Sequence, residues 1–160
     1  MALELRAIVG FLLCCAAVSG SAVCLDPATA QSGYRQPLAE ELRSTELVAV
    51  GKVFRERSSR ELARDPNAVS VSLYRVRVQH WVKGRSPKWL EVKVENDSGR
   101  YNMSVGEVHL LFLNKSGRDF AINGCGNSSV LPVGEPTLAA VRAALAQPGA
   151  APGPKDQKRP

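Results

Sequence analysis

Histidine is scarce in this sequence, and the motifs of the common catalytic sites are missing. Only His80 and His109 occur. The chain contains no His-Glu-x-x-His, no Cys-x-x-Cys and no Gly-x-Ser-x-Gly, the patterns of zinc peptidases, of redox or zinc sites and of serine hydrolases. Both histidines fall in strand-like segments, where we expect them to pack in or on a sheet. These absences predict a protein that is not an enzyme and that has no catalytic residues, no metal site and no cofactor.

The chain also lacks an apolar run long enough to cross a bilayer. Arg6 is followed by the apolar segment Ala7 to Val18 and then by small residues. A helix needs about 20 apolar residues to span the hydrocarbon core, and this run has about 12. A charge, a short apolar run and small residues follow in the order of a secretory signal peptide. We therefore expect residues 1–22 to be removed by a cut after Ala22. A cut after Ala30 also fits the small-residue rule, and a buried N-terminal helix is the alternative to a signal peptide.

Cysteine becomes rare once that segment is set aside. Cys14 and Cys15 lie in the apolar run, which leaves Cys24 and Cys125 in the mature chain. An even number of cysteines in an exported protein suggests a disulfide, because export leads to an oxidising compartment. Two free thiols, or a lipid on Cys24, are the alternatives. The prediction for localisation is secreted or periplasmic, with no membrane span after signal cleavage.

Charge is unbalanced towards the basic side. The 21 lysines and arginines exceed the 15 acidic residues, which gives a formal net charge of +6. A basic surface favours acidic partners such as anionic lipid or polyanionic sugar, although a modest net charge also serves solubility alone. Export argues against nucleic acid as a partner.

Most of the chain shows the pattern of short strands separated by turns. The first and fourth of the expected strands are apolar on both faces, which is typical of central strands. Gly51 in the first predicts a bulge or bend. The alternation in the second changes phase after Leu73, which predicts a β-bulge there. The expected strands are Glu46–Arg57, Ala68–Gly84, Lys88–Glu95, Glu107–Leu113 and Asp119–Asn123.

Two short helices are expected beside the strands. Pro37 suits the first turn of one, and Pro136–Gln147 places Leu138, Val141 and Leu145 on one face of the other. The predicted fold is mostly β, a small five-stranded OB-like antiparallel barrel with one or two short flanking helices. The domain assignment is an N-terminal arm over 23–36, the barrel with its C-terminal helix over 37–147 and a disordered tail over 148–160.

Several segments together resemble a known family. Val50-Gly51-Lys52-Val53 is followed by Tyr74-Arg75-Val76-Arg77-Val78, by Val82-Lys83-Gly84, and by Val105-Gly106-Glu107 before Leu110-Leu111-Phe112-Leu113. In this order and spacing, over roughly residues 24–131, they resemble the netrin-like fold of the tissue inhibitors of metalloproteinases, in the reduced form found in bacterial exported proteins. The resemblance implies an OB-type barrel and an N-terminal arm tied to it by a disulfide between Cys24 and Cys125.

The sequence departs from that family at the N-terminal residues through which the inhibitors bind the zinc of the protease. The inhibitors begin with Cys-x-Cys, and the first amine and carbonyl chelate the zinc of the protease, whereas Cys24 is followed by Leu25 and Asp26. We therefore expect an exported netrin-like binding module that contacts a protein or an anionic envelope polymer. The alternative is a metalloendopeptidase inhibitor that acts on a zinc protease through its mature N-terminus.

One set of side chains is a candidate binding surface. OB barrels bind oligonucleotides or oligosaccharides on a strand face where basic groups and aromatic rings alternate. A solvated basic face without a ligand is the alternative. The candidate surface consists of residues that we expect to point outward from adjacent strands: Arg75, Arg77, Trp81, Lys83 and Lys93.

Overall fold

The protein is mostly β, as predicted. A computed structural model describes residues 24–60, 70–85, 87–95 and 99–147. The predicted signal peptide and the predicted tail lie outside the described residues. The elements are α1 (Leu38–Ser44), β1 (Leu47–Arg60), β2 (Ser70–Lys83), β3 (Trp89–Glu95), β4 (Val108–Ser116), β5 (Asp119–Ile122), β6 (Ser129–Val130) and α2 (Glu135–Ala146).

Five strands close into a small barrel, which confirms the predicted fold class. The strand order is β1-β2-β3-β5-β4, and β4 pairs back onto β1. The expectation of a wholly antiparallel barrel is wrong at one pairing, because β3 and β5 run parallel, with Val92 beside Phe120. Strand directions cannot alternate all the way round a ring of five, so one neighbouring pair must be parallel. The sequence also gave no sign of the two-residue strand β6, which pairs with β4.

Strands β1 and β4 are buried on both faces, as their sequences predicted. One face of each lines the barrel interior, where Ala49 and Leu111 pack with residues of β2 and β3. The other face is covered by the two helices: Val48 and Phe112 pack against Leu42 of α1 and Val141 of α2. The helices therefore cover the outside of β4, the start of β1 and the end of β2. They leave the outside of β3, most of β2 and β1 from Lys52 to Arg57 open to solvent.

The long β1–β2 hairpin is irregular at places other than the predicted one. Its register skips Phe54 in β1 and Gln79 and Val82 in β2, whereas the pairing of Leu73 and Tyr74 is continuous. The predicted bulge after Leu73 is therefore wrong. The apolar alternation breaks there because the buried Ser72 takes an inward position and donates its hydroxyl hydrogen to the Glu56 carboxylate (3.2 Å). The predicted irregularity at Gly51 is confirmed by a register shift beside it.

A disulfide joins the N-terminal arm to the barrel. Cys24 and Cys125 are bonded, with their Cα atoms 5.5 Å apart, which confirms the pairing that the family resemblance implied. The backbone N–H of Gln36 donates to the Cys125 carbonyl (2.9 Å). The arm is thus attached to the segment after β5 by a covalent bond and by backbone contacts.

A buried carboxylate fixes the same segment to α1. Glu41 is 3% exposed, and its Oε2 accepts hydrogen bonds from the backbone N–H (2.6 Å) and side-chain amide (2.7 Å) of Asn127. Burial raises the pKa of the Glu41 carboxyl, and the two donors oppose that rise. A side chain at Gly126 would collide with this carboxylate, so glycine is required there.

In the part of the chain that the structure describes, no helix combines the length and hydropathy needed to cross a bilayer.

Candidate binding face

The open side of β1, β2 and β3 carries a dense group of cations around two aromatic rings. We call this surface the basic face. All of its members are exposed except Lys52, which is half-buried. The basic face consists of Lys52, Phe54, Arg55, Arg57, Arg75, Arg77, Lys88 and Trp89.

The aromatic rings lie at the centre of the basic face. Phe54 and Trp89 are 45% and 39% exposed, and their ring centroids are 5.1 Å apart in an edge-to-face arrangement. The Arg75 guanidinium lies over the Trp89 ring, 4.8 Å from its centroid. A cation over an indole ring is attracted by the negative face of the ring, so Arg75 is held in place with donors left for a ligand.

Phe54 reaches the surface because of a bulge. The register passes from the Val53–Val76 pair to the Arg55–Arg75 pair and leaves Phe54 as the extra residue of β1. Val53 points into the barrel, while Phe54 and Arg55 are both exposed. The bulge therefore adds an aromatic ring and a cation to the same patch of surface.

Cations lie directly opposite cations across this sheet. In the pairing of β1 with β2, Lys52 is opposite Arg77, and Arg55 is opposite Arg75. Like charges directly opposite each other on neighbouring strands destabilise a sheet. Glu91 offsets part of the charge: it lies opposite Arg75 and 3.5 Å from Arg57. Within the described ranges, no carboxylate lies within ion-pair distance of Lys52 or Arg77.

A shallow cleft lies between these two cations and the turn that precedes β3. Its lining includes Lys52, Phe54, Arg77, Gln79 and Lys88. The carbonyl oxygen of Lys88 accepts the backbone N–H of Val78 (2.9 Å), which holds the turn beside β2. Three cations and an amide thus surround one opening, an arrangement suited to an anion.

Two of the five predicted binding residues, Arg75 and Arg77, belong to the basic face. Lys93 points outward from β3 on the side of β5, and its ammonium lies 3.9 Å from Glu95. Lys93, Trp81 and Lys83 all lie outside the basic face. Trp81 is half-buried and packs against the barrel core.

Lys83 contacts the end of α1 instead of the basic face. Its ammonium donates hydrogen bonds to the carbonyl oxygens of Leu42 (2.6 Å) and Thr45. Burial lowers the pKa of this ammonium. The extra residue Gln79 in β2 turns Trp81 to the inner side of the sheet. The extra residue Val82 then returns Lys83 to the outer side, which α1 covers at that end of the strand.

Sequence reasoning missed the two aromatic residues. Trp89 could have been found, because Leu90, Val92 and Val94 point inward and thereby place Trp89 outward. Its proximity to Phe54 could not, since the two residues are far apart in sequence and meet only through the pairing of β1, β2 and β3.

A second polar cluster lies at the start of β4. His109 is 1% exposed; its Nε2 lies 3.1 Å from the Glu107 carboxylate and its Nδ1 2.8 Å from the Tyr101 hydroxyl. A carboxylate accepts only, so Nε2 carries the hydrogen and Nδ1 accepts the tyrosine O–H. Burial lowers the pKa of the imidazole, opposed by Glu107, and burial also raises the pKa of the Tyr101 hydroxyl.

This cluster has the contacts of a structural network, because each polar atom of the imidazole has a partner. The prediction that His109 packs within the sheet is confirmed, and His80 lies exposed on β2. Among the residues that the structure covers, no three His, Cys, Asp or Glu side chains converge as they would around a metal ion.

No protein-family model matches this chain, and no curated protein is significantly similar to it. The resemblance to the netrin-like inhibitors therefore remains a prediction from the sequence.

Proposed function

We propose that the protein is an exported, non-catalytic binding module that contacts an anionic partner through the basic face. The partner is a protein with an acidic surface or an anionic polymer of the cell envelope. The observation that carries this proposal is the cross-strand pairing of like charges, Lys52 with Arg77 and Arg55 with Arg75.

The opposed cations affect the free protein and the bound protein differently. Opposed cations repel in the free protein, so they weaken the sheet that carries them. An anionic ligand between them replaces that repulsion with attraction. Arginine adds geometric selectivity, because its planar guanidinium binds carboxylate, phosphate or sulfate oxygens through two parallel hydrogen bonds.

The location of the protein is part of the proposal. A disulfide that joins residues 101 positions apart is compatible with an oxidising compartment, where such bonds persist. The closed barrel with a tethered arm is the architecture that a reduced netrin-like protein would have. Both features support export and the netrin-like interpretation, which rest on the sequence.

The backbone contacts of the N-terminal arm do not favour the alternative function, inhibition of a metalloendopeptidase. A metalloendopeptidase inhibitor of the netrin-like type directs the carbonyl of its first cysteine at the metal of the protease. The Cys24 carbonyl oxygen accepts the backbone N–H of Tyr34 (3.0 Å), and Leu25 bridges to Ser32 across the same loop. These contacts direct the carbonyl into the arm. N-terminal sequencing of the mature protein separates the two functions, since a first residue other than Cys24 removes the chelating amine.

Binding of dextran sulfate, measured by calorimetry with uncharged dextran as control, tests the proposal. The double variant Lys52→Gln/Arg77→Gln should bind about tenfold more weakly than the wild type, because it removes two of the three cations that line the cleft. The matched control Arg118→Gln/Arg142→Gln removes the same charge from two exposed residues elsewhere and should bind normally. Equal losses in both variants would mean that net charge alone attracts the polymer and would refute a specific face.

A further inference from the structure

The basic face exposes apolar carbon together with charge, and a soluble polyanion needs only the charge. Phe54 and Trp89 lie side by side, each well exposed. Single exposed apolar residues are common, but adjoining exposed aromatic rings mark surfaces that contact another apolar phase.

A third exposed apolar residue, Val105, lies in a turn that a backbone hydrogen bond holds next to the bulge at Phe54. Val105 is 57% exposed in the turn that precedes β4. The N–H of Gly106 in that turn donates to the carbonyl of Val53 (2.8 Å), the residue before Phe54. The turn that carries Val105 is therefore fixed next to the bulge that exposes Phe54.

Cations surround this apolar surface. Lys52, Arg77 and Lys88 line the cleft beside Phe54, and Arg75 covers one side of Trp89. Aromatic rings are enriched at the headgroup level of membranes, where long cationic side chains reach lipid phosphates. Each lysine or arginine near an anionic bilayer strengthens binding about fivefold.

We infer that the basic face docks on the surface of an anionic lipid bilayer. Phe54 and Trp89 enter the headgroup region, and the cleft cations Lys52, Arg77 and Lys88 hold lipid phosphates. This inference rests on the proposed contact of the basic face with anions and assigns those anions to a bilayer in place of a protein or a polymer. The ligand anions are phosphates fixed in a membrane plane, and the exposed rings gain an apolar contact that a polymer in solution does not offer.

Vesicle binding by the mature chain tests this inference. The vesicles contain equal parts of phosphatidylglycerol and phosphatidylcholine, with phosphatidylcholine alone as the uncharged control. The protein should sediment with the anionic vesicles only, and its tryptophan emission should move to shorter wavelength as Trp89 leaves water. Trp89→Phe should abolish that shift, since the remaining Trp81 is half-buried against the barrel core. Trp81→Phe should preserve it.

An apolar variant outside the basic face separates a bilayer from a soluble polyanion. Val105→Ser should reduce vesicle binding about threefold and leave dextran sulfate binding unchanged, because only the bilayer contacts that side chain. Val133→Ser is the matched control: Val133 is 73% exposed in the loop before α2, and its replacement should change neither measurement.

The outcomes distinguish this inference from the function on which it rests. Binding of dextran sulfate with no emission shift on vesicles and no effect of Val105→Ser would refute the membrane partner and leave an anionic partner in solution. Failure to bind both dextran sulfate and anionic vesicles would refute the inference and the proposed function together.

Discussion

Lys52 lies directly opposite Arg77 across the β1–β2 pairing, so two cations occupy a position where a sheet is most stable with opposite charges. Lys52→Glu should convert repulsion into attraction and raise the free energy of unfolding by about 0.2–1 kcal/mol. The same change should weaken dextran sulfate binding. Urea denaturation and calorimetry measure the two effects. A variant that is both less stable and unimpaired in binding would contradict the assignment of this pair to a ligand.

Lys83 should matter for stability and not for binding. Its ammonium donates to carbonyl oxygens at the end of α1, so Lys83→Met should lower the free energy of unfolding by about 1–2 kcal/mol. Lys115→Met, at an exposed lysine of β4, is the matched control and should have little effect. If Lys83→Met weakened dextran sulfate binding as strongly as Arg77→Gln, the placement of Lys83 outside the basic face would be wrong.

The disulfide should stabilise the protein without forming the basic face. Its cysteines are 101 positions apart, and in the chain-entropy model a bridge of that span contributes roughly 4–5 kcal/mol. The double variant Cys24→Ser/Cys125→Ser should lose about that much in urea denaturation. Under conditions where the variant is folded, dextran sulfate affinity should be retained, because the face is built by β1, β2 and β3. A folded variant that fails to bind would show that the arm contributes to the site.

His109 should make stability depend on pH. Burial lowers its pKa in the folded protein, so between the folded value and the usual 6.5 the unfolded chain binds the proton more readily. The contribution of His109 is complete above about pH 6.5 and is lost as the pH falls through the folded pKa. Protonation also removes the acceptor that Nδ1 offers to the Tyr101 hydroxyl.

Urea denaturation across this pH range measures the effect. The wild type should lose stability as the pH falls, and His109→Gln should reduce that slope. His80→Gln is the matched control, because His80 is exposed, and it should keep the slope of the wild type. An unchanged slope in His109→Gln would contradict the role given to the buried imidazole.

The parts of the fold that depend on local pattern could be predicted from the sequence. The apolar runs around Val48 and Phe112 predicted strands buried on both faces, and the structure places the barrel core on one side and the helices on the other. The pairing of Cys24 with Cys125 was implied by the resemblance to the netrin-like family. These features need only the period of the apolar residues and the spacing of a few motifs.

The features that depend on pairing between distant strands could not be predicted. The register skip at Gln79 turns Trp81 towards the core, although simple alternation placed it outside. Lys83 lies on the outer side as alternation predicted, but the pattern of one strand could not show that α1 covers it there. The contact between Phe54 and Trp89 forms across three strands. The alternation of one strand carries no information about where its neighbour gains or loses a residue, and those positions determine most of the basic face.

Backbone amide chemical shifts, followed by NMR while the isotope-labelled mature protein is titrated with dextran sulfate, test the central claim most directly. The largest changes should fall in β1 and β2 around Phe54 and Arg77 and in the turn at Lys88, while α2 should be unaffected. Changes centred on the arm near Cys24, or spread evenly over all exposed lysines and arginines, would contradict a binding surface on the open side of this barrel.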